Sequence, residues 1–146
     1  MIVTVDTNIV ISALINSSGN EFSILFSDDK KVDFVSSYFL IDELYKKVEK
    51  IAVFAKSSVK QIKKQLTLIT DSFLLIDEKE IDQHSLKEAG HLIRGLDYND
   101  YLPLAVTIFY DALLWIGDLK LYRGLRKKGY FNIVTTKELR KIIKGI

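Results

Sequence analysis

The opening of this chain, Met1-Ile-Val-Thr-Val-Asp-Thr-Asn8, constrains it more than any other stretch. Ile2, Val3 and Val5 form a short, mostly β-branched apolar run, which reads as a buried strand. Asp6 falls where that strand should end, and Asn8 opens a second apolar stretch, Ile9 to Ile15, suited to a buried helix. A carboxylate at the carboxyl end of a buried strand, beside a helix start, lies where open α/β sheets bind ligands. Asp6 or Thr7 also suits the plainer task of capping that helix. At this point both readings stand.

The chain downstream repeats the rhythm. Phe22, Leu25 and Phe26 are spaced for a short helix, and Asp33 to Ser36 read as a strand. Ser36 or Ser37 is placed to cap a helix starting near Tyr38, in which Phe39, Leu40, Leu44, Val48 and Ile51 form a core-facing stripe. Glu43 lies on or beside that stripe, while Lys46, Lys47, Glu49 and Lys50 are expected to face water. An amphipathic helix follows over Ser57 to Thr70, then a strand over Ser72 to Ile76 and a weaker helix from Ile81 to Ile93.

Leu96 to Asp100 is polar and turn-prone, and it precedes Leu102 to Tyr110, which is apolar nearly all round and therefore suits a central helix. Pro103 sits in the first turn, where a missing N–H costs little. Asp111 to Ile116 predict a strand ended by Gly117-Asp118, and Asn132 to Val134 a final short one. Thr135 and Glu138 have the spacing of a capping box for a terminal helix. Strands alternating with helices in this way predict a three-layer α/β/α sandwich with a mainly parallel sheet. The length, 146 residues without linker or repeat, predicts one domain spanning 1–146.

Composition excludes some chemistries. The chain has no cysteine, which rules out disulfides, thiolate metal sites and cysteine nucleophiles. That absence, a start that runs straight into a strand, and the lack of a membrane-length apolar run lead to the expectation of a cytoplasmic protein with no membrane partner. Net charge is only +2, too small by itself to indicate nucleic acid.

Parallel strands point their carboxyl ends the same way, so Asp6 and Asp118 are expected at one sheet edge. Asp100 starts a helix packed on that sheet, and Glu43 lies near the first turn of its own helix, so both are within reach of the same edge. Four acids in one cleft repel each other and lose hydration, which calls for a cation. Mg²⁺ or Mn²⁺ fits an all-oxygen donor set, and such a site can orient a phosphodiester and activate water. Taken singly, Asp100 also reads as a helix cap, Asp118 as a turn residue and Glu43 as a solvated helix residue.

Asp6-Thr-Asn8, the Ile41-Asp-Glu-Leu44 helix, Asp97 and Asp100 followed by Leu102-Pro-Leu-Ala105, and Ile116-Gly-Asp118 together resemble the ordered motifs of PIN domains. The stretches Leu121-Tyr-Arg-Gly-Leu125 and Ile133-Val-Thr-Thr-Lys-Glu-Leu139 are similar to the end of one PIN subgroup, and the resemblance spans essentially the whole chain. It implies a metal-dependent ribonuclease of the VapC-toxin-like type. Asp6, Asp100 and Asp118 would hold Mg²⁺ or Mn²⁺, Glu43 would orient a water or bind a second ion, and Asn8 and Asp97 would support the site. It also implies a homodimer or higher oligomer and an antitoxin partner.

One departure stands out. Many PIN domains have Thr or Ser two residues before the last Asp, where this chain has Ile116. The rival reading is therefore a degenerate PIN module that binds RNA or protein without cutting. A phosphoryl-transfer receiver would need a second acid near Asp6 and a lysine on a late strand, neither of which is evident. Lys120, Arg123, Arg126, Lys127 and Lys128 follow Asp118 closely and are candidates for RNA phosphate contacts, with Tyr122 and Tyr130 as candidate stacking residues. A solvated basic helix with half-buried tyrosines fits the same residues. His84 and His91 lie on a separate helix and read as ordinary side chains.

Overall fold

A computed structural model describes residues 1–27 and 31–145. Strand β1 (Ile2–Val5) forms as its β-branched run predicts, and α1 (Thr7–Ile15) follows one residue later. The chain continues through α2 (Asn20–Leu25), β2 (Asp33–Ser37), α3 (Tyr38–Lys46), α4 (Val48–Ala55), α5 (Val59–Asp71) and β3 (Leu74–Ile76). A 3-10 turn at Glu78–Glu80 leads to α6 (Gln83–Leu92), and a second at Tyr98–Asp100 leads to α7 (Tyr101–Tyr110). The chain closes with β4 (Leu113–Trp115), α8 (Leu119–Lys127), β5 (Ile133–Val134) and α9 (Thr136–Ile143).

Among the described residues the strands form one all-parallel sheet in the order β3-β2-β1-β4-β5. One face is covered by a core in which Ile9, Val10 and Leu14 of α1 meet Leu44, Ile51, Leu66 and Ile69 from α3, α4 and α5. The other face carries a second core, with Leu104, Ala105 and Val106 of α7 against Ile93, Leu121 and Leu125. This is the α/β/α sandwich the sequence predicts. A sheet buried on both faces needs strands with no polar side, which is why Val3, Val5, Leu114 and Trp115 are all nearly inaccessible.

The strand order matters for function. From β1 the chain winds outward through β2 and β3, then crosses back to lay β4 on the other side of β1. The connections leaving β1 and β4 therefore diverge to opposite faces: α1 packs in the first core, while Leu121 and Leu125 of α8 pack in the second. A crevice must open between the carboxyl ends of these two strands, the topological switch point of such a sheet.

The structure departs from sequence periodicity in two places. The stripe from Phe39 to Ile51 is not one helix: it breaks at Lys47, whose amide donates to the Leu44 carbonyl at 3.0 Å in a tightened last turn. The expected strand at Asp111 starts later, because Asp111 takes a left-handed conformation (φ 51°) that ends α7 and turns the chain toward Leu113. The capping box is present as predicted, with Glu138 N–H donating to Thr135 Oγ1 at 3.2 Å and Thr135 N–H donating to Glu138 Oε1 at 3.1 Å.

Candidate active site

Asp6 lies at the switch point. The pairing of β1 with β4 runs Val3 to Leu113, Thr4 to Leu114 and Val5 to Trp115, and the Asp6 amide continues it by donating to the Trp115 carbonyl at 3.2 Å. Asp6 is only 5% exposed and occupies the N-cap position of α1, yet its side chain makes no capping hydrogen bond. Burial pushes its carboxyl up to about 6; the nearby Asn8 and Thr7 amides oppose the rise, Asp118 adds to it and Lys47 again opposes it.

Asp100 repeats the pattern on another element. It stands at the N-cap position of α7 without capping it. Burial, followed by the charges of Asp6, Asp97 and Asp118, raises its carboxyl to about 6. Uncapped carboxylates on two different helix starts thus lie within electrostatic reach of each other. Neither does the structural task that its position offers.

Asp118 and Asp97 do perform that task. Asp118 caps α8, accepting from the amides of Lys120 at 2.8 Å and Leu121 at 3.4 Å through Oδ1, which leaves Oδ2 for another partner. Asp97 Oδ1 accepts from the Asn99 amide at 3.0 Å and fixes the turn that carries Asp100. Asp97, Asp100 and Asp118 line one pocket together with Gly95, Leu96, Lys120 and Leu121. Asn8 follows Asp6 on α1 and lines a separate groove between α1 and α4.

Glu43 does not line the acid pocket. It lies in the second turn of α3 rather than the first, and pairs with Lys46 at 3.2 Å. Sequence reasoning missed Lys47, which acts on Asp6 from the break between α3 and α4. Helical periodicity put Lys47 on a solvent face, and it is exposed there; periodicity gave no sign that its charge would reach Asp6.

The cations after Asp118 divide by surroundings. Lys120 lines the acid pocket. The Arg126 guanidinium lies over the rings of Tyr122 and Phe131, 5.2 and 5.0 Å from their centroids. Lys128 donates to the carbonyls of Leu92 and Arg94 at the end of α6. Arg123 and Lys127 have no ion pair among the described residues. His84 pairs with Glu88 at 3.2 Å, away from the acids, and His91 lies on the same helix.

Among the described residues, no three His, Cys, Asp or Glu side chains are gathered tightly enough to form a complete cation cage as they stand. The donor chemistry nonetheless fits a hard divalent ion. Asp6, Asp100 and the second oxygen of Asp118 supply carboxylate oxygens; the Asn8 and Thr7 amides and the Lys47 charge offset the burial of Asp6 only in part, and every influence on Asp100 disfavours its charged form. Mg²⁺ in particular is held through one or two carboxylates and several waters rather than by an all-protein cage.

The class that fold and site define is a parallel α/β/α sandwich with acids near its switch point. The family model described as the PIN domain matches residues 4–142, and the chain belongs to the PIN domain family. Its structure is similar to that of VapBC2 from Rickettsia felis bound to a DNA fragment from its promoter, with a TM-score of 0.67 and 19% identity over 92% of this chain and 97% of that one. No curated protein sequence matches the chain. Among the described residues, no helix is long and apolar enough to cross a membrane.

Proposed function

We propose that the chain is a Mg²⁺- or Mn²⁺-dependent endoribonuclease that hydrolyses RNA phosphodiesters at the edge formed by Asp6, Asp100 and Asp118. One observation carries this reading: Asp6 and Asp100 both occupy N-cap positions, neither caps its helix, and burial drives both toward about 6. Protein structures rarely bury charge without a partner, and a divalent ion supplies one. Membership of the PIN family supports the same assignment.

Asp6, Asp100 and Asp118 Oδ2 would hold the ion, with Asp97 fixing the turn under Asp100 and Asn8 shaping the ground behind Asp6. When bound, the ion neutralises charge on the scissile phosphate and lowers the pKa of a water. The chain's own residues do the rest. Burial of Asp6 keeps bulk water from screening the site, and Lys120 in the pocket wall offers a contact for the RNA backbone. Glu43, released from Lys46, would orient the attacking water. Arg123 and Lys127 would extend the phosphate contacts along α8.

The test is incubation with total RNA in Mg²⁺ or Mn²⁺, with mapping of cut ends and Asp6→Asn as control. Metal-dependent cuts made by the wild type and missing from the variant support the reading; equal cutting by both overturns it.

A second reading is a PIN module that binds RNA or protein without cutting, and Ile116 favours it. Continuing the β1–β4 register sets Ile116 beside Asp6, where it is 1% exposed and packed in the second core. Calorimetry separates the two: Mn²⁺ binding lost in Asp118→Asn supports the nuclease, and no Mn²⁺ binding supports the module.

The resemblance to toxin-type PIN domains, with the likeness in fold to VapBC2, extends the proposal to a cytoplasmic homodimer or higher oligomer held in check by an antitoxin protein. Copurification with the product of a neighbouring gene, and relief of inhibition on removing it, test that extension.

A further inference from the structure

We propose that Tyr98 is a stacking platform for an unpaired RNA base beside the acid pocket, an inference that rests on the ribonuclease reading above. Tyr98 is a large aromatic residue left 71% exposed, and it lies between Asp97 and Asp100, both of which line the pocket. Its ring is not loose. It stacks on Tyr101 with centroids 5.2 Å apart and planes 6° from parallel. Tyr101 is anchored in turn, its hydroxyl donating to the Leu86 carbonyl at 3.3 Å. The turn beneath is fixed by the Asp97 side chain on the Asn99 amide and by the Asp100 amide on the Asp97 carbonyl at 3.1 Å.

One face of the Tyr98 ring is therefore partly covered by an offset stack, and the other is left to solvent. A ring ordered before its ligand arrives loses little entropy on binding. The free face suits the π-face of any base, but only a base not already stacked in a duplex can reach it. Lys120 in the same pocket wall supplies the charge that a polyanion requires. The other aromatics near the basic helix do not lie between residues that line this pocket. The Arg126 guanidinium lies over both Tyr122 and Phe131, and Tyr130 is largely buried, with its hydroxyl pushed up by desolvation and the charges of Glu88 and Asp111.

The experiment measures binding of a short fluorescein-labelled single-stranded RNA to the full chain by anisotropy, in Ca²⁺, alongside the same RNA carrying abasic positions. Tyr98→Ala should weaken binding of the intact RNA by about tenfold, the loss of one base–aromatic stack. Tyr98→Phe should bind like the wild type. The abasic RNA should bind the wild type weakly and fail to distinguish it from Tyr98→Ala. Salt dependence should not change, since no phosphate contact is touched, and the melting temperature should fall only by the loss of the Tyr98–Tyr101 stack.

Unchanged affinity of Tyr98→Ala, an equal loss in Tyr98→Phe, or no binding by the wild type overturns the platform. So does conversion of an oligomer to monomer by Tyr98→Ala with RNA binding intact. Failure of the underlying reading looks different. Base-dependent binding through Tyr98 without any Mg²⁺- or Mn²⁺-dependent cleavage retains the platform and discards the nuclease. Cleavage that Asp6→Asn abolishes, with Tyr98→Ala binding normally, does the reverse.

Discussion

The Asp6 amide donates to the Trp115 carbonyl at 3.2 Å. That bond sets the end of β1 beside the end of β4, three residues before Asp118, and Trp115 is tied onward by its indole Nε1–H donating to Thr136 Oγ1 at 3.0 Å. The acid cleft is thus built on the most buried strands of the sheet rather than on a loop, and its electrostatics follow from that position.

Stability without metal should rise as pH falls. Asp6 and Asp100 ordinarily titrate near 3.8 and are raised to about 6 in the fold. The folded state therefore binds their protons more tightly than the unfolded chain does, which is stabilising below about 4 and is lost as pH rises through about 6. Thermal melts in chelator should show a higher midpoint at pH 4.5 than at pH 7, if these two groups dominate the titration. Added Mn²⁺ should raise the midpoint at pH 7 and have little effect at pH 4.5.

Asp6→Asn should stabilise the metal-free protein at pH 7 by about 2 kcal/mol while abolishing metal-dependent cleavage, because it removes a buried charge that the Asn8 and Thr7 amides and Lys47 offset only in part. Chemical denaturation in chelator gives the first quantity and an RNA assay the second. A variant that loses stability as well as cleavage would show that Asp6 holds the fold rather than an ion.

Ile116→Thr restores a hydroxyl beside Asp6 at the position where many PIN domains carry one. Ile116 is 1% exposed, so the change should cost about 1–3 kcal/mol through lost packing and a buried hydroxyl. If that hydroxyl supports the ion, Mn²⁺ affinity by calorimetry should increase despite the lower melting temperature. Equal affinity would show that the site manages without it.

Lys120→Ala and Arg126→Ala should separate cleanly. Lys120 lines the acid pocket, so its loss should weaken RNA binding across sequences and reduce the salt slope of log K by about 1. Arg126 is engaged over two rings, so its loss should lower stability by about 0.5–1 kcal/mol with little change in RNA affinity. Anisotropy across a salt series and a urea melt check both.

Thr135→Ala should cost about 1 kcal/mol by opening both arms of the box that starts α9. Because α9 joins the sheet through Thr136 and Trp115, hydrogen exchange should report the loss at α9 and β5 first.

What the sequence determined by itself is local. The β-branched run Ile2 to Val5, the apolar segment ending at Tyr110 and the spacing of Thr135 and Glu138 each specify an element through period and capping, which depend on residues within a few positions. The same locality explains the misreadings. Periodicity carries straight through Lys47, where the chain breaks, because a break costs only one turn of hydrogen bonds and leaves the apolar stripe intact.

Tertiary structure decided which acids meet. That Asp6 lies within electrostatic reach of Asp118 depends on β4 crossing back to β1, a pairing of distant segments that buries apolar surface on both faces of the sheet. Asp6, Asp100 and Asp118 all occupy N-cap positions, although on sequence Asp6 and Asp100 read as caps and Asp118 as a turn residue. Only the folded arrangement separates Asp118, which caps its helix, from Asp6 and Asp100, which do not. The physical reason is that a cap is satisfied within one helical turn, whereas the free energy of a buried carboxylate depends on every charge and dipole the fold brings near it.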